Sequence, residues 1–308
     1  MVCKCKFTSP TSQADLTAIG TNGLGRETVL LLASRKPSKI FFTGRNSQAA
    51  DALKQEVLAS NKDIQAHFIH CDQSSLSSVR NAIDSFLKLE PNRLDILVCN
   101  AGDAGSAPGL TQDGYEKKFA VNYLSHALMT KLLAPLLEKT FDVHGDARVV
   151  NLSSAAFRNT APGGIDFADV KAGTRKAGLL GPQTGWRYGQ SKLASILYTQ
   201  EAAKRYRFLS VAIHPGIIYT DIINDRGFWM RLLIKAYGAT RHISSEEGAW
   251  NSCWAATMLR NEKGPESGRF YGPVGVPIAA SKYSASETLQ TALWKWTEDE
   301  LNAFLSQK

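Results

Sequence analysis

The feature that most restricts the fold of this chain is an alternation. Short apolar runs recur along its first two thirds, and a helix-period segment follows nearly every one. The runs read as strands at residues 14–19, 39–46, 66–71, 94–99, 147–152 and 209–213, with helices predicted over 26–33, 47–62, 77–89 and 115–139. Ser74 or Ser75 is placed to cap the third helix. Strands that alternate with helices join through parallel crossovers, so the pattern predicts an α/β fold with a single doubly wound parallel sheet flanked by helices. Ligands of such sheets bind beyond the carboxyl ends of the strands, which makes the strand ends the place to look for function. The first run is the poorest of the six. Ala14-Asp15-Leu16-Thr17-Ala18-Ile19 carries an aspartate where a central parallel strand favours continuous apolar residues.

The strand ends are rich in glycine and polar groups. After the first run comes Gly20-Thr21-Asn22-Gly23-Leu24-Gly25, leading at once into a helix. Glycines there let the backbone approach a pyrophosphate, and a helix N-terminus offers unpaired N–H groups and a favourable dipole. An ordinary glycine-rich turn is the structural alternative. The second run ends in Gly44-Arg45. An acidic residue at that point would bond the 2′-hydroxyl of NAD, whereas an arginine suits the 2′-phosphate of NADP; a solvated turn arginine is the plain reading. Asp72 closes the third run, Asn100-Ala101-Gly102 the fourth, Ser153-Ser154 the fifth and His214-Pro215-Gly216 the sixth. Asn122 lies among Phe119, Val121 and Leu124, where an amide needs a hydrogen-bond partner.

Tyr188-Gly189-Gln190-Ser191-Lys192 opens a stretch in which Leu193, Ile196, Leu197, Ala202 and Ala203 are spaced for a helix with one buried face. Tyr188 and Lys192 then share a face one turn apart. A phenol titrates near ~10 in water, and a cation one turn away favours its phenolate.

Composition excludes several classes. With 44% hydrophobic and 21% charged residues the chain reads as an ordinary globular protein, and its net charge of +8 comes without a basic block interleaved with aromatics. No nucleic-acid partner is expected. Five cysteines are too few and too irregular for a disulfide framework; Cys71, Cys99 and Cys253 sit in apolar surroundings, and Cys3 and Cys5 lack the further ligands a metal needs. No metal is expected. No run approaches a membrane span, and the first thirty residues lack a signal-peptide apolar core. A reducing, cytoplasmic location is the expectation, with residues 1–13 disordered ahead of one domain spanning 1–308.

Taken together and in order, Asn100-Ala101-Gly102, Asn122, Ser154, Tyr188 with Lys192, and Pro215-Gly216 followed by Thr220 make the chain resemble a short-chain dehydrogenase/reductase. Ser191-Lys192-Leu193-Ala194 and the tail from Ser267 to Gly275 resemble the retinol-dehydrogenase-like and protochlorophyllide-reductase-like branch. The resemblance implies a Rossmann-type fold binding NADP(H). It makes Tyr188 the proton donor to a carbonyl oxygen, Ser154 the hydrogen-bond donor that holds that oxygen, and Lys192 the group that lowers the tyrosine pKa and bonds the nicotinamide ribose. Asn122 would position a water that relays protons to Lys192. Cofactor contacts would come from Gly20, Asn22, Gly23, Leu24 and Gly25, from Arg45, from Asp72 at the adenine with Gln73 beside it, and from Asn100, Ala101 and Gly102. Asn122, Tyr188, Lys192, Pro215, Gly216, Ile218 and Thr220 would complete them, the last two at the carboxamide. Membrane members of the branch carry an N-terminal anchor that this sequence does not display, and a homodimer or homotetramer is the family expectation.

One departure bears on function. The family writes its phosphate loop as Thr-Gly-x-x-x-Gly-x-Gly; counted back from Gly25 without a gap, the first two positions are Ala18 and Ile19, and with one residue deleted Gly20 takes the first glycine's place. Two readings follow. The first is an NADPH-dependent reductase or dehydrogenase acting on a bulky hydrophobic carbonyl or alcohol, with reduction of a conjugated C=C bond as a nearby variant. The second is a redox-neutral isomerase, cyclase or binder on the same scaffold. The stretch 155–187 is expected to fold over the mouth of the site, with Trp186 either lining the pocket or standing as a buried aromatic with no role. Residues 220–245, containing Phe228-Trp229-Met230-Arg231-Leu232-Leu233-Ile234, are expected to form a substrate lid, a core or interface helix being the alternative.

Overall fold

A computed structural model describes residues 15–19, 21–89, 91–172, 182–216, 244–260 and 263–307. Within them one sheet of eight strands runs in the order β3-β2-β1-β4-β5-β6-β7-β8. The strands are β1 (Asp15–Ile19), β2 (Lys39–Gly44), β3 (Gln65–His70), β4 (Ile96–Cys99), β5 (Arg148–Leu152), β6 (Leu209–Ile213), β7 (Phe270–Gly272) and β8 (Val276–Pro277). All neighbours pair in parallel except β7 with β8. The chain winds outward from β1 to β3, then returns to the other side of β1 with β4. That reversal opens a crevice at the carboxyl ends of β1 and β4.

The weak first strand is formed, and its neighbours explain why. β1 is sandwiched in register, Thr17 opposite both Phe41 of β2 and Leu97 of β4. Ile40, Phe41 and Phe42 are at most 1% exposed. Two strongly apolar partners supply the drive that β1 lacks, since strand preference is set largely by what lies alongside.

Successive strand residues feed two separate cores, as a two-residue period requires. Ile40, Phe42, Ile96, Val98, Val150, Val211 and Ile213 meet α1 (Gly23–Ala33), α2 (Ser47–Ser60) and α7 (Ser245–Thr257). Phe41, Leu97, Cys99, Val149 and Ala212 point the other way. There they meet α3 (Leu76–Leu87), α4, α6 (Pro182–Arg205) and α8 (Glu287–Ser306). Helix α4 has three parts: Lys117–Phe119, a π-helical turn at Ala120–Leu124, and Ser125–His144, ended by Gly145 at φ 76°. A short α5 (Phe167–Ala172) precedes α6. Ser75, of the two expected candidates, caps α3 by accepting from Ser78 N at 3.2 Å.

Helix α1 opens three residues earlier than predicted, at Gly23, because glycine's low helix preference hides a first turn that the crevice geometry enforces. The helix bearing Tyr188 likewise starts at Pro182, so the stretch before it is shorter than expected. Strands β7 and β8 and helices α7 and α8 were not predicted. Residues 1–13, and 220–243 of the expected lid, lie outside the described residues. No helix among the described residues is long and apolar enough to cross a membrane.

Helix α8 covers both α4 and α6. Trp294 stacks on Tyr198 with ring centroids 5.0 Å apart, Tyr123 Oη and Thr297 Oγ1 are 2.5 Å apart, and Tyr115 donates to Glu300 at 2.6 Å. Leu293 is fully buried at the centre of this seam. Leu293→Ala is expected to cost about 2–5 kcal/mol of stability by urea denaturation, since the cavity it leaves is walled by rigid aromatics.

Candidate active site

Three flanks of α6 carry the site. Lys192 points at the end of β5, where its Nζ donates to the Leu152 carbonyl oxygen at 2.9 Å. Ser153 ties the same elements, donating from Oγ to the Lys192 carbonyl oxygen at 2.7 Å. Lys192 is 4% exposed, and burial pulls its pKa from 10.5 down to about 8. The hydrogen bond described for the ammonium goes to a carbonyl dipole and not to a carboxylate, so its charge still acts on other oxygens nearby. Tyr188, one turn earlier and half-buried, has its ring centroid 5.8 Å from Lys192 Nζ.

Asn122 occupies the π-helical turn of α4 and is wholly buried. Its Oδ1 accepts from Asp103 N at 2.5 Å, and its Nδ2 donates to Asp103 O and to Ser191 Oγ, both at 2.9 Å. Ser195 Oγ donates to the Asn122 carbonyl oxygen at 3.3 Å. The amide therefore clamps the segment after β4 to α6 and answers the need for a partner seen in the sequence. The backbone at Gly102 passes close to both groups: a Cβ there would stand 3.4 Å from Lys192 Nζ and 3.5 Å from Asn122 Oδ1.

Ser154, two residues past β5, caps the short 3₁₀ turn Ala155–Arg158, its Oγ accepting from Ala156 N at 3.2 Å. The hydroxyl proton is thus available to donate outward. What sets this turn against Tyr188 is Gly189, which sequence reasoning missed. A Cβ on Gly189 would stand 2.7 Å from Asn159 C and 2.8 Å from Ala156 O, with the Asn159 carbonyl oxygen closer still. Only a residue without a side chain lets the turn lie flush on α6. The outer side of the same segment is held from the C-terminal region, where Tyr283 Oη accepts from Gly163 N at 3.0 Å and Arg158 donates to Ala279 O at 2.8 Å.

The remaining predicted residues line the strand ends. Asn22 stands at the N-cap position of α1 in extended conformation without a side-chain capping bond, and Gly23, Leu24 and Gly25 form the first turn, whose N–H groups precede the helical bonding pattern. Gly44 packs tightly on this turn; a Cβ there would meet the Thr21 side chain at 2.8 Å. Arg45 is exposed at the end of β2. Asp72 Oδ1 accepts from Ser74 N at 2.9 Å and from Ser74 Oγ at 2.8 Å, while Gln73 Oε1 meets His126 Nε2 at 3.2 Å. Burial and, second to it, the Lys192 charge lower His126 to about 3 and His214 to about 4, so both imidazoles are neutral at pH 7. Pro215 and Gly216, the latter at φ 101°, follow β6. Gly20, Ile218 and Thr220 lie outside the described residues.

The crevice fits a nucleotide cofactor. Asn100 Oδ1, just after β4 at the crevice, and Gln73 Nε2, after β3, are buried without a hydrogen-bond partner among the described residues. Buried polar atoms seldom stay unpaired in a native protein, and a ligand with donors and acceptors would satisfy both. No cluster of potential metal ligands occurs among the described residues.

Two outcomes follow from this geometry. Gly189→Ala must displace the Ser154 turn, and a shift on the order of 1 Å at reacting groups costs up to about 10²-fold in turnover, read as kcat at saturating substrate. Lys192 makes the second. Between pH 8 and 10.5 the unfolded chain holds a proton on Lys192 that the folded chain has released, so this group stabilises folding progressively as pH rises through that window. Urea denaturation at about pH 7.5 and about pH 9.5 should show Lys192→Met lacking on the order of 2 kcal/mol of that rise relative to the wild type.

Comparison with known proteins agrees with the architecture. Residues 17–177 match the short chain dehydrogenase family, more than half of the chain. An uncharacterized oxidoreductase of Schizosaccharomyces pombe is 35% identical, the match covering 85% of this chain and 77% of that protein. Retinol dehydrogenase 12 of Mus musculus is 32% identical over 88% of this chain and 80% of its own length. In fold, the chain is similar to the NADPH-bound carbonyl reductase from chicken fatty liver, with a TM-score of 0.61 and 21% identity, covering 87% of this chain and 99% of that one. The chain belongs to the short-chain dehydrogenase family and is an oxidoreductase of that type.

Proposed function

We propose that this protein interconverts a carbonyl and an alcohol on a bulky hydrophobic small molecule, using NADP(H), in a reducing cytoplasmic setting. The observation that carries the reading is the buried Lys192 ammonium, held by the Leu152 carbonyl one turn from Tyr188, with Ser154 on the adjoining residue pair at the end of β5. When bound, the nicotinamide supplies or accepts the hydride. The chain does the rest. Ser154 donates its hydroxyl proton to the substrate oxygen as a hydrogen bond, and Tyr188 delivers the proton that turns this oxygen into an alcohol. The Lys192 ammonium offsets the charge left on the tyrosine oxygen, an effect strengthened by the low dielectric around it. Asn122 holds the backbone after β4 against α6 and keeps the group in register.

Several observations favour redox chemistry over a redox-neutral role. β1 pairs on both sides, α1 opens at Gly23 on the crevice, and Asn100 Oδ1 beside it has no hydrogen-bond partner among the described residues. Exposed Arg45 suits a 2′-phosphate and so favours NADP(H) over NAD(H). The likeness to a mouse retinol dehydrogenase supports a long, apolar isoprenoid-like alcohol or aldehyde as the substrate class. Cys71, Cys99 and Cys253, buried and free, accord with a reducing compartment.

Titration with NADPH and, separately, NADH, followed by nicotinamide fluorescence, tests the proposal. NADPH should bind the more tightly, and Arg45→Ala should remove that preference. Tyr188→Phe should keep NADPH binding and lose about 10²–10⁴-fold in turnover of a hydrophobic aldehyde. Failure of correctly folded protein to bind either nucleotide overturns the reading.

A further inference from the structure

We infer that Arg187 is a positioning residue for Tyr188, acting through a buried ion pair with Asp169. The inference builds on the acid role proposed above for Tyr188 and brings in a segment to which the reaction itself assigns no part. Arg187 donates from Nε to Asp169 Oδ2 at 3.0 Å and from Nη2 to Asp169 Oδ1 at 2.8 Å. The two side chains are 5% and 3% exposed. Glu116, also buried, faces the same guanidinium: Asp169 is the larger cause that raises the Arg187 pKa, and the Glu116 charge adds to it. Burial pushes the Glu116 carboxyl itself upward; its Oε2 caps α4 by accepting from Phe119 N at 2.9 Å, and its Oε1 has no hydrogen-bond partner among the described residues.

The segment that carries Asp169 is anchored at several other points. Asp166 N donates to Gln190 Oε1 at 3.2 Å, Asp169 N donates to Asp166 Oδ1 at 3.1 Å, and Glu116 N donates to Val170 O at 2.8 Å. Residues 166–170 therefore grip α6 at Arg187 and Gln190, one turn apart and on either side of Tyr188 in sequence, and are themselves fixed to the start of α4. On the flank bearing Ser191, Asn122 makes a second attachment to the same turn. Held on both flanks, the turn cannot rotate about its axis, and that rotation is what would swing the Tyr188 hydroxyl.

Stability alone does not account for the pair. Replacing a buried ion pair by apolar groups of similar size is often neutral or stabilising, whereas removing one partner is strongly destabilising. What an apolar contact lacks is the planar fork of a guanidinium on a carboxylate, which admits one orientation. The pair therefore supplies direction.

The test compares wild type, Arg187→Lys and the double variant Arg187→Met with Asp169→Leu. The double variant is expected to remain folded, melting somewhat below the wild type because Glu116 also loses the guanidinium, with KM and NADPH affinity unchanged and kcat lowered between about tenfold and about 10²-fold. Arg187→Lys, which keeps the charge and loses the fork, should fall between the two. A folded double variant with wild-type kcat overturns the inference. Should the double variant not fold, Arg187→Lys decides alone: full kcat in that variant overturns positioning. Hydrogen exchange of amides 186–192 gives a readout that needs no turnover. Faster exchange confined to this turn is expected in both variants, and unchanged exchange counts against the inference even if the wild type proves inactive. Inactivity of the wild type with either nucleotide would instead refute the proposed reaction, so the two failures stay separate.

Discussion

The site depends on an ammonium group held out of water by a carbonyl. Lys192 Nζ sits on the Leu152 oxygen, and burial pulls its pKa from 10.5 down to about 8. The surrounding elements are arranged to keep that charge buried and aimed. Ser153 binds the lysine's own backbone, Gly102 brings the end of β4 close without a side chain, and the Asn122 amide joins that strand end to α6. A charge held in this way is strong because little else screens it. It is also expensive to bury, which is why its supports are mostly backbone atoms and short polar side chains that cannot rearrange to neutralise it.

A second constraint is closeness. The Ser154 turn reaches α6 through a contact that has no room for a methyl group at Gly189, and the 155–164 segment is tied from outside by the Tyr283 hydroxyl, which accepts from Gly163 N, and by the Ala279 carbonyl, which accepts from Arg158. Glycine inside a helix weakens it by up to about 1 kcal/mol against alanine. Here the weaker helix is the condition for the Ser154 turn to lie directly on α6 beside Tyr188.

Much of this was legible in the sequence, for reasons that differ by element. β2, β4, β5 and β6 are nearly continuous apolar runs, and parallel strands buried on both faces look like that. β1 does not, because its stability comes from β2 and β4 and not from its own residues. Tyr188, Lys192, Asn122 and Ser154 could be put forward as candidates because their order along the chain is distinctive. Gly189 and the Arg187–Asp169 pair could not, since their meaning lies in contacts with residues tens of positions away. The strands β7 and β8 hold three and two residues, too few for a period to register. Helix α8 does carry a readable stripe at Leu293, Thr297 and Leu301, and the Ser244 and Glu247 capping box ahead of α7 was there to be read. The polar threonine and the flanking tryptophans blur the first, and the second was overlooked.

Helix α8 bears on how the protein comes into being. A chain leaves the ribosome from its N-terminus, and segments fold as they emerge. β1 to β6 and the helices between them have all been made before residues 287–306 exist, yet those residues cover Tyr123 on α4 and Tyr198 on α6. Until then a band of aromatic surface on α4 and α6 stays open to water and to other nascent chains. The seam over α4 and α6 is therefore completed only after α8 has itself been made and has docked on Tyr123 and Tyr198.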